Sequence, residues 1–302
     1  MELKKLVSLS VVGVLMIGCN NNTSNDAKDH VITENVQDIS AEKTISAEKK
    51  EETQQTTAKA KDVILSYYVG VFRAEKTDNK KNPMLENKIN ISLDSIAHDM
   101  LFGHSVVAGN IRPFKGKLTK QGEIYLAECK EPGDDKYDGV FTFTLDPAGE
   151  SIKGAWVSND KKLAVTERSF DLKKVDFKYN PNQELGDISS EVYQSGVPGS
   201  DDFERITSDA GKINASTTLL AKKDVENMYK RDLEVMRNAI YARHGYSFKN
   251  RQMRFFFDNY VSWYIPVSTD VTKELTDIEK KNIDLIKRYE DHAATYYDTY
   301  GR

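Results

Sequence analysis

Only two cysteines occur in the 302 residues, Cys19 and Cys129. A disulfide framework is thereby excluded if either is used otherwise, and so are paired-cysteine metal sites. The apolar run from Leu6 to Ile17 spans 12 residues, too few to cross a membrane. Neither sign of charge dominates: 43 basic and 47 acidic side chains are mixed along the chain for a net of -4. That leaves no electrostatic footprint for nucleic acid, and no such partner is expected. There is no Gly-x-Ser-x-Gly, no His-Glu-x-x-His and no glycine-rich phosphate loop, and the carboxylates are scattered rather than paired. No catalytic residue, cofactor or metal ligand set can therefore be named.

What is present falls into blocks. With 39% hydrophobic and 30% charged residues the chain is globular on average, long enough for about two domains, and must carry one stretch that does not fold. Residues 1–18 form a signal peptide: Lys4 and Lys5, the apolar run, then Gly18 before Cys19. This ending resembles a bacterial lipobox, which implies acylation of Cys19, for example by palmitate, and a mature N-terminus at that residue. The alternative is a cleaved leader with an incidental cysteine. Two or more acyl chains would hold the protein stably at a membrane. Asn20, rather than Asp, follows Cys19, which favours the outer membrane of the cell envelope where one exists; secretion or surface exposure is the alternative. Residues 19–62 contain no aromatic side chain and much Asn, Thr, Ser, Glu and Lys, a composition expected of a disordered tether with a reach of roughly 35–40 Å.

From residue 63 to 176 apolar and polar residues alternate in short runs. Strands are expected at Val63–Arg73, Lys88–Ser95, Met100–Val107, Arg112–Thr119, Glu123–Lys130, Gly139–Leu145, Ser151–Val157 and Leu163–Lys173. The period of two names inward faces: Ile89, Ile91 and Leu93; Phe141, Phe143 and Leu145; Ile152, Gly154 and Trp156; Phe170 and Leu172. His104, in phase with Met100, Phe102 and Val106, is expected to point inward, and Cys129 to be an inert small hydrophobe. Asp134, Asp135 and Asp138 could surround a cation, but Lys136 breaks the EF-hand spacing and a solvated turn is the default. The expected shape is an antiparallel barrel or strongly curled sheet of lipocalin-like architecture, since closure removes exposed edges.

Residues 177–216, with Asn180-Pro181-Asn182 and Gly196-Val197-Pro198-Gly199, carry linker signals. From residue 217 to 302 the period is helical. Helices are expected at Asp224–Met228, Arg231–Arg243 with Gly245 as its left-handed terminator, and Arg251–Asn259. A last helix opens with Thr276-x-x-Glu279 as a capping box and presents Ile278, Asn282, Leu285, Ile286 and Tyr289 on one face. Arg251 and Arg254 beside Phe255–Phe257 suggest an aromatic-basic patch, although such aromatics on a short helix usually pack in a core.

Met236-Arg237-Asn238-Ala239-Ile240-Tyr241-Ala242-Arg243-His244-Gly245, then Phe248, Phe255, Phe256, Trp263-Tyr264, Pro266 and the run from Leu275 to Ile286, resemble the YARHG domain over about Leu219 to Glu290. The resemblance implies an exported bacterial protein with a small all-α domain, and no established chemistry. The whole is thus an α+β chain. Arg237, Tyr241 and His244 share a helix seam at i, i+4 and i+7 spacing. Together with Asn238 they admit two readings, packing and hydrogen bonding against partners such as Glu279 or Asn282, or a recognition pocket for an anionic or glycan ligand made of Arg237, Tyr241, Arg243, His244 and Trp263. The function expected is a lipid-anchored, non-enzymatic interaction module whose partner is an envelope protein or cell-wall ligand. The alternatives are a carrier of a small apolar ligand in the β body and an envelope hydrolase acting on glycan or peptide.

Overall fold

The computed structural model describes residues 63–146, 148–193 and 203–296, all within one compact unit. The leader, Cys19 and the tether lie outside the described residues. Eight antiparallel strands close into a barrel in sequence order, β1 (Tyr67–Thr77), β2 (Glu86–Ala97), β3 (Met100–Val107), β4 (Asn110–Gln121), β5 (Ile124–Lys130), β6 (Gly139–Leu145), β7 (Ser151–Ser158) and β8 (Val165–Val175), with β8 returning to β1. The inward residues expected on β2, β6, β7 and β8 point into this core: Ile89, Ile91, Phe141, Phe143, Leu145, Ile152 and Leu172 are essentially inaccessible. Phe72, Phe114, Phe141, Phe143, Trp156 and Phe170 stack in a continuous chain of ring contacts through the interior. Cys129 lies among them as a free thiol that burial pushes up to about 12. One end of the barrel is plugged by the turn before β1. There Ile64 is buried, and the Tyr68 hydroxyl stands 2.8 Å from the Ile64 carbonyl and 3.0 Å from that of Gly149.

The expectation for His104 is corrected. Leu101, Gly103, Ser105 and Val107 form the inner phase of β3, while Met100 and Phe102 are exposed and His104 pairs outside the barrel with Asp94 at 2.7 Å. Apolar residues occupy both phases of this strand, so alternation alone could not choose. Gly103 decides it, because the Phe114 ring fills the space that a Cβ there would need.

The helical body consists of α1 (Lys222–Val225), α2 (Lys230–Arg243), α3 (Arg251–Tyr260) and α4 (Asp277–Tyr296). α2 is buried nearly all round and divides two cores. Val235, Ala239 and Ala242 face a cluster with Phe248, Phe256 and Phe257, whereas Leu233, Met236 and Ile240 face one with Val225, Leu275 and Ile286. The helix ends as expected at Gly245 (φ 76°), whose N–H reaches Ala242 while that of Tyr246 reaches Tyr241. The Thr276 capping box forms as expected, each partner receiving the other's backbone N–H. The buried face of α4 is corrected, however: it is built on Glu279, Asn282, Ile283 and Ile286, and Ile278 is exposed. Residues 177–216 contain an antiparallel strand pair, β9 (Ser190–Tyr193) and β10 (Phe203–Ile206), tied to α2 where Asp232 accepts both the N–H and the hydroxyl of Thr207.

The two bodies meet on the outer face of β2. The Lys88 N–H donates to Asp258 at 2.8 Å, its ammonium approaches the carbonyls of Val261 and Tyr264, and the Asn90 amide donates to Pro266 O. A second contact joins Gly109, in the β3–β4 turn, to the Ser247 hydroxyl.

Candidate functional site

Two groups of residues are candidates. The first is the set named from sequence, which the fold gathers at the C-terminal end of α2. His244 stacks on Tyr179 with ring centroids 4.1 Å apart, and its Nε2 lies 2.8 Å from Glu279. Burial would raise the pKa of Glu279, but bonds from His244, the Thr276 N–H and Ser216 outweigh it and hold the carboxyl at about 2. Arg243 donates to Gln183 O and Ser216 and lies over the Trp263 ring, whose indole N–H donates to Glu184 O. Arg237 makes a bidentate pair with Glu290 at 2.6 and 3.0 Å. Tyr241 packs against Tyr246 between the two cores. Asn282 does not turn toward α2. Its amide accepts from Leu220 N–H and donates to the carbonyls of Ala215 and Thr218. The sequence-named set thus forms a clamp joining α2, α4 and the segment 179–184.

The second group lies at the barrel end opposite the plug. A cavity of about 600 Å³ opens there, with Phe72, Val107, Phe141 and Trp156 as its floor. This is within the range of small-molecule sites, ~300–1,000 Å³. Glu131 fixes one wall, its carboxylate accepting from the indole N–H of Trp156 at 3.0 Å and from Gly139 N–H at 2.7 Å; burial nonetheless pushes its pKa up. The acidic loop closes on itself, Asp138 accepting from the N–H groups of Gly133 and Asp135, with Arg112 beside both carboxylates. Among the described residues no cluster of three His, Cys, Asp or Glu side chains could hold a metal ion.

The facing wall is cationic. Arg168, from β8, donates to the carbonyls of Phe72, Met84 and Leu85 and lies over the Phe72 ring; burial, then the nearby Arg254, lowers its pKa to about 10. From the helical body come Lys249, Arg251 and Arg254. Arg254 donates to Met84 Sδ and Lys249 O, and burial and then Arg251 depress its pKa against the pull of Asp258. Arg251 Nε and Nη2 are buried with no hydrogen-bond partner among the described residues. Sequence reading flagged Arg251 and Arg254 as part of a patch but not Arg168 or Lys249. The available signal was Lys249-x-Arg251-x-x-Arg254 at a helix start, where the helix dipole disfavours positive charge.

Comparison with known proteins bears on the helical body alone. No protein of curated function matches the chain. Residues 210–291 match the family described as the YARHG domain, a span that begins with Ala210 in the turn after β10 and runs through most of α4.

Proposed function

We propose that the chain is a lipid-anchored, non-enzymatic cell-envelope protein, held through acylated Cys19 and presenting the barrel and its helical body as a single binding module. The observation that carries this reading is the cavity at the open barrel end, walled jointly by β strands and by the start of α3. A small ligand, free or borne on an envelope partner, would enter there. The interior below is filled by aromatic side chains, so the carrier reading is narrowed to the mouth rather than the lumen. Binding is favoured over hydrolysis because Glu131, Asp135 and Asp138, the carboxyls at and beside the mouth, are each engaged by N–H groups or Arg112.

The anchor and the module are tested separately. Cys19→Ala should move the protein from the membrane to the soluble fraction, and continued membrane retention would refute lipidation. For the module, the membrane-anchored chain is challenged with envelope extract and cell-wall fragments. Val107→Trp, which fills the mouth, should abolish capture that the wild type shows; equal capture by both would place binding elsewhere.

A further inference from the structure

Three guanidinium groups and an ammonium share one wall of the cavity, and among the described residues no carboxylate lies within ion-pair distance of Arg168, Arg251 or Arg254. Gathering like charges in a partly desolvated site is unfavourable unless an anion completes it. Elsewhere two shielded arginines are paired with carboxylates, Arg237 with Glu290 and Arg231 with Glu204. At the Arg168, Arg251 and Arg254 wall the chain makes no such pairing, and the two nitrogens of Arg251 without partners among the described residues are the clearest departure. α3 adds to the effect: its first turn holds no acidic residue, so the positive end of its dipole is reinforced rather than offset. Aromatic and aliphatic side chains, among them Phe72, Phe141, Trp156, Leu163 and Val165, line the floor, while the two carboxylates of the lining, Glu131 and Asp135, are already engaged by Trp156 and Gly139 and by Arg112.

We infer that this mouth takes an amphipathic organic anion, with its carboxylate or phosphate on the Arg168, Arg251 and Arg254 wall and its apolar body on the Phe72, Phe141 and Trp156 floor. The inference rests on the reading of the cavity as a ligand site and adds the chemical class. Arg251 supplies the two free donors in the fork geometry that matches a carboxylate. Arg168, already held by three carbonyls, contributes charge more than new bonds. Asn87, whose buried side-chain oxygen has no partner among the described residues, offers an acceptor on the same lining for a hydroxyl on the ligand.

The test uses the full chain and calorimetric titration with three probes: octanoate, octanol and inorganic phosphate. Octanoate should bind at least about tenfold tighter than either of the others, and Arg251→Met should remove that advantage while leaving octanol unchanged. Because an uncompensated cation is removed, Arg251→Met should also raise the melting temperature of the ligand-free chain, and octanoate should stabilise the wild type more than the variant. Octanol binding equal to octanoate in both proteins would overturn the anionic class while leaving the cavity as an apolar site. Phosphate binding as tightly as octanoate would overturn the amphipathic class, and no binding by any probe would overturn both the inference and the cavity reading. Should Arg251→Met lower stability, Arg254→Met and Arg168→Met repeat the comparison. Retention of the octanoate advantage in all three would likewise overturn it.

Discussion

Glu279 offers the sharpest quantitative test of the helical body. Its carboxylate has no accessible surface, receives the Thr276 N–H at 2.9 Å and the Tyr179 hydroxyl at 3.1 Å, and lies 2.8 Å from His244 Nε2. It therefore ties the start of α4, the end of α2 and the segment before β9 at one point. Its pKa is held at about 2, against 4.5 for an ordinary glutamate. The folded value lies below the unfolded one, so the stabilisation is fully present above pH ~4.5 and is lost as pH falls toward ~2. At about 1.4 kcal/mol for each pH unit between them, the interaction is worth roughly 3 kcal/mol. Glu279→Gln keeps the shape but removes the charge and sets an NH₂ against one of the donors. Urea unfolding of wild type and variant should differ by roughly 3 kcal/mol at pH 7. The gap should narrow steadily below pH ~4.5 and nearly vanish near pH ~2. A difference under about 0.5 kcal/mol at pH 7, or one that stays constant on acidification, would refute the claim that a buried ion holds these segments together.

Asp258 should behave with the opposite sign. Burial, opposed by the Lys88 N–H and by the charges of Lys88 and Arg254, lifts its pKa from 3.8 to about 7. A raised carboxylate pKa makes folding less favourable as pH rises between those values, so Asp258→Asn, which keeps an acceptor for Lys88, should gain stability at pH 8, by at most about 4 kcal/mol, and nothing at pH ~3.5. Thermal melts across that range check it; a variant that loses stability at pH 8 would show that the charge is needed at the joint. Gly245→Ala should cost about 2 kcal/mol or more and lower the melting temperature by several degrees. The added Cβ would meet Val267 Cγ2 at 2.3 Å and the Phe177 ring at 2.8 Å while the backbone stays at a φ of 76°. An unchanged melting temperature would mean that this end of α2 can shift freely.

The barrel was legible because strands such as β2, β6 and β8 carry their apolar residues mainly in one phase, and strand ends such as Met100–Val107 and Gly139–Leu145 are marked by turn residues. β3 was not, since both of its phases are apolar. The α2 terminator and the α4 capping box are local signals, and both could be read from a few residues. The buried face of α4 is different in kind. Glu279 and Asn282 are buried because their partners come from residues 179, 215, 218, 220 and 244, a condition that apolar periodicity cannot express. The same limit hid the cavity. Arg168 and the Lys249–Arg254 cluster are more than 80 residues apart in sequence, and only barrel closure together with docking of α3 brings them to one wall.

β2 explains how that wall is held. Its inner residues Ile89 and Ile91 sit in the barrel core, while the outer ones, Lys88 and Asn90, fasten the helical body, so both faces of the strand are buried. On α3, Arg251, Arg254 and Asp258 follow one another at i, i+3 and i+7, which puts them along one side of the helix. The carboxylate at one end of that side is bonded to β2, and the two guanidiniums at the other line the cavity. The joint and the cationic wall are therefore consecutive parts of a single helix face. Arg254 stands between them, drawn by Asp258 toward the joint and repelled by Arg251 at the mouth. An anion in the cavity would relieve that repulsion without disturbing the bond to β2. This is the arrangement expected where a helix must be fixed to a barrel and still leave its positive end available to a ligand.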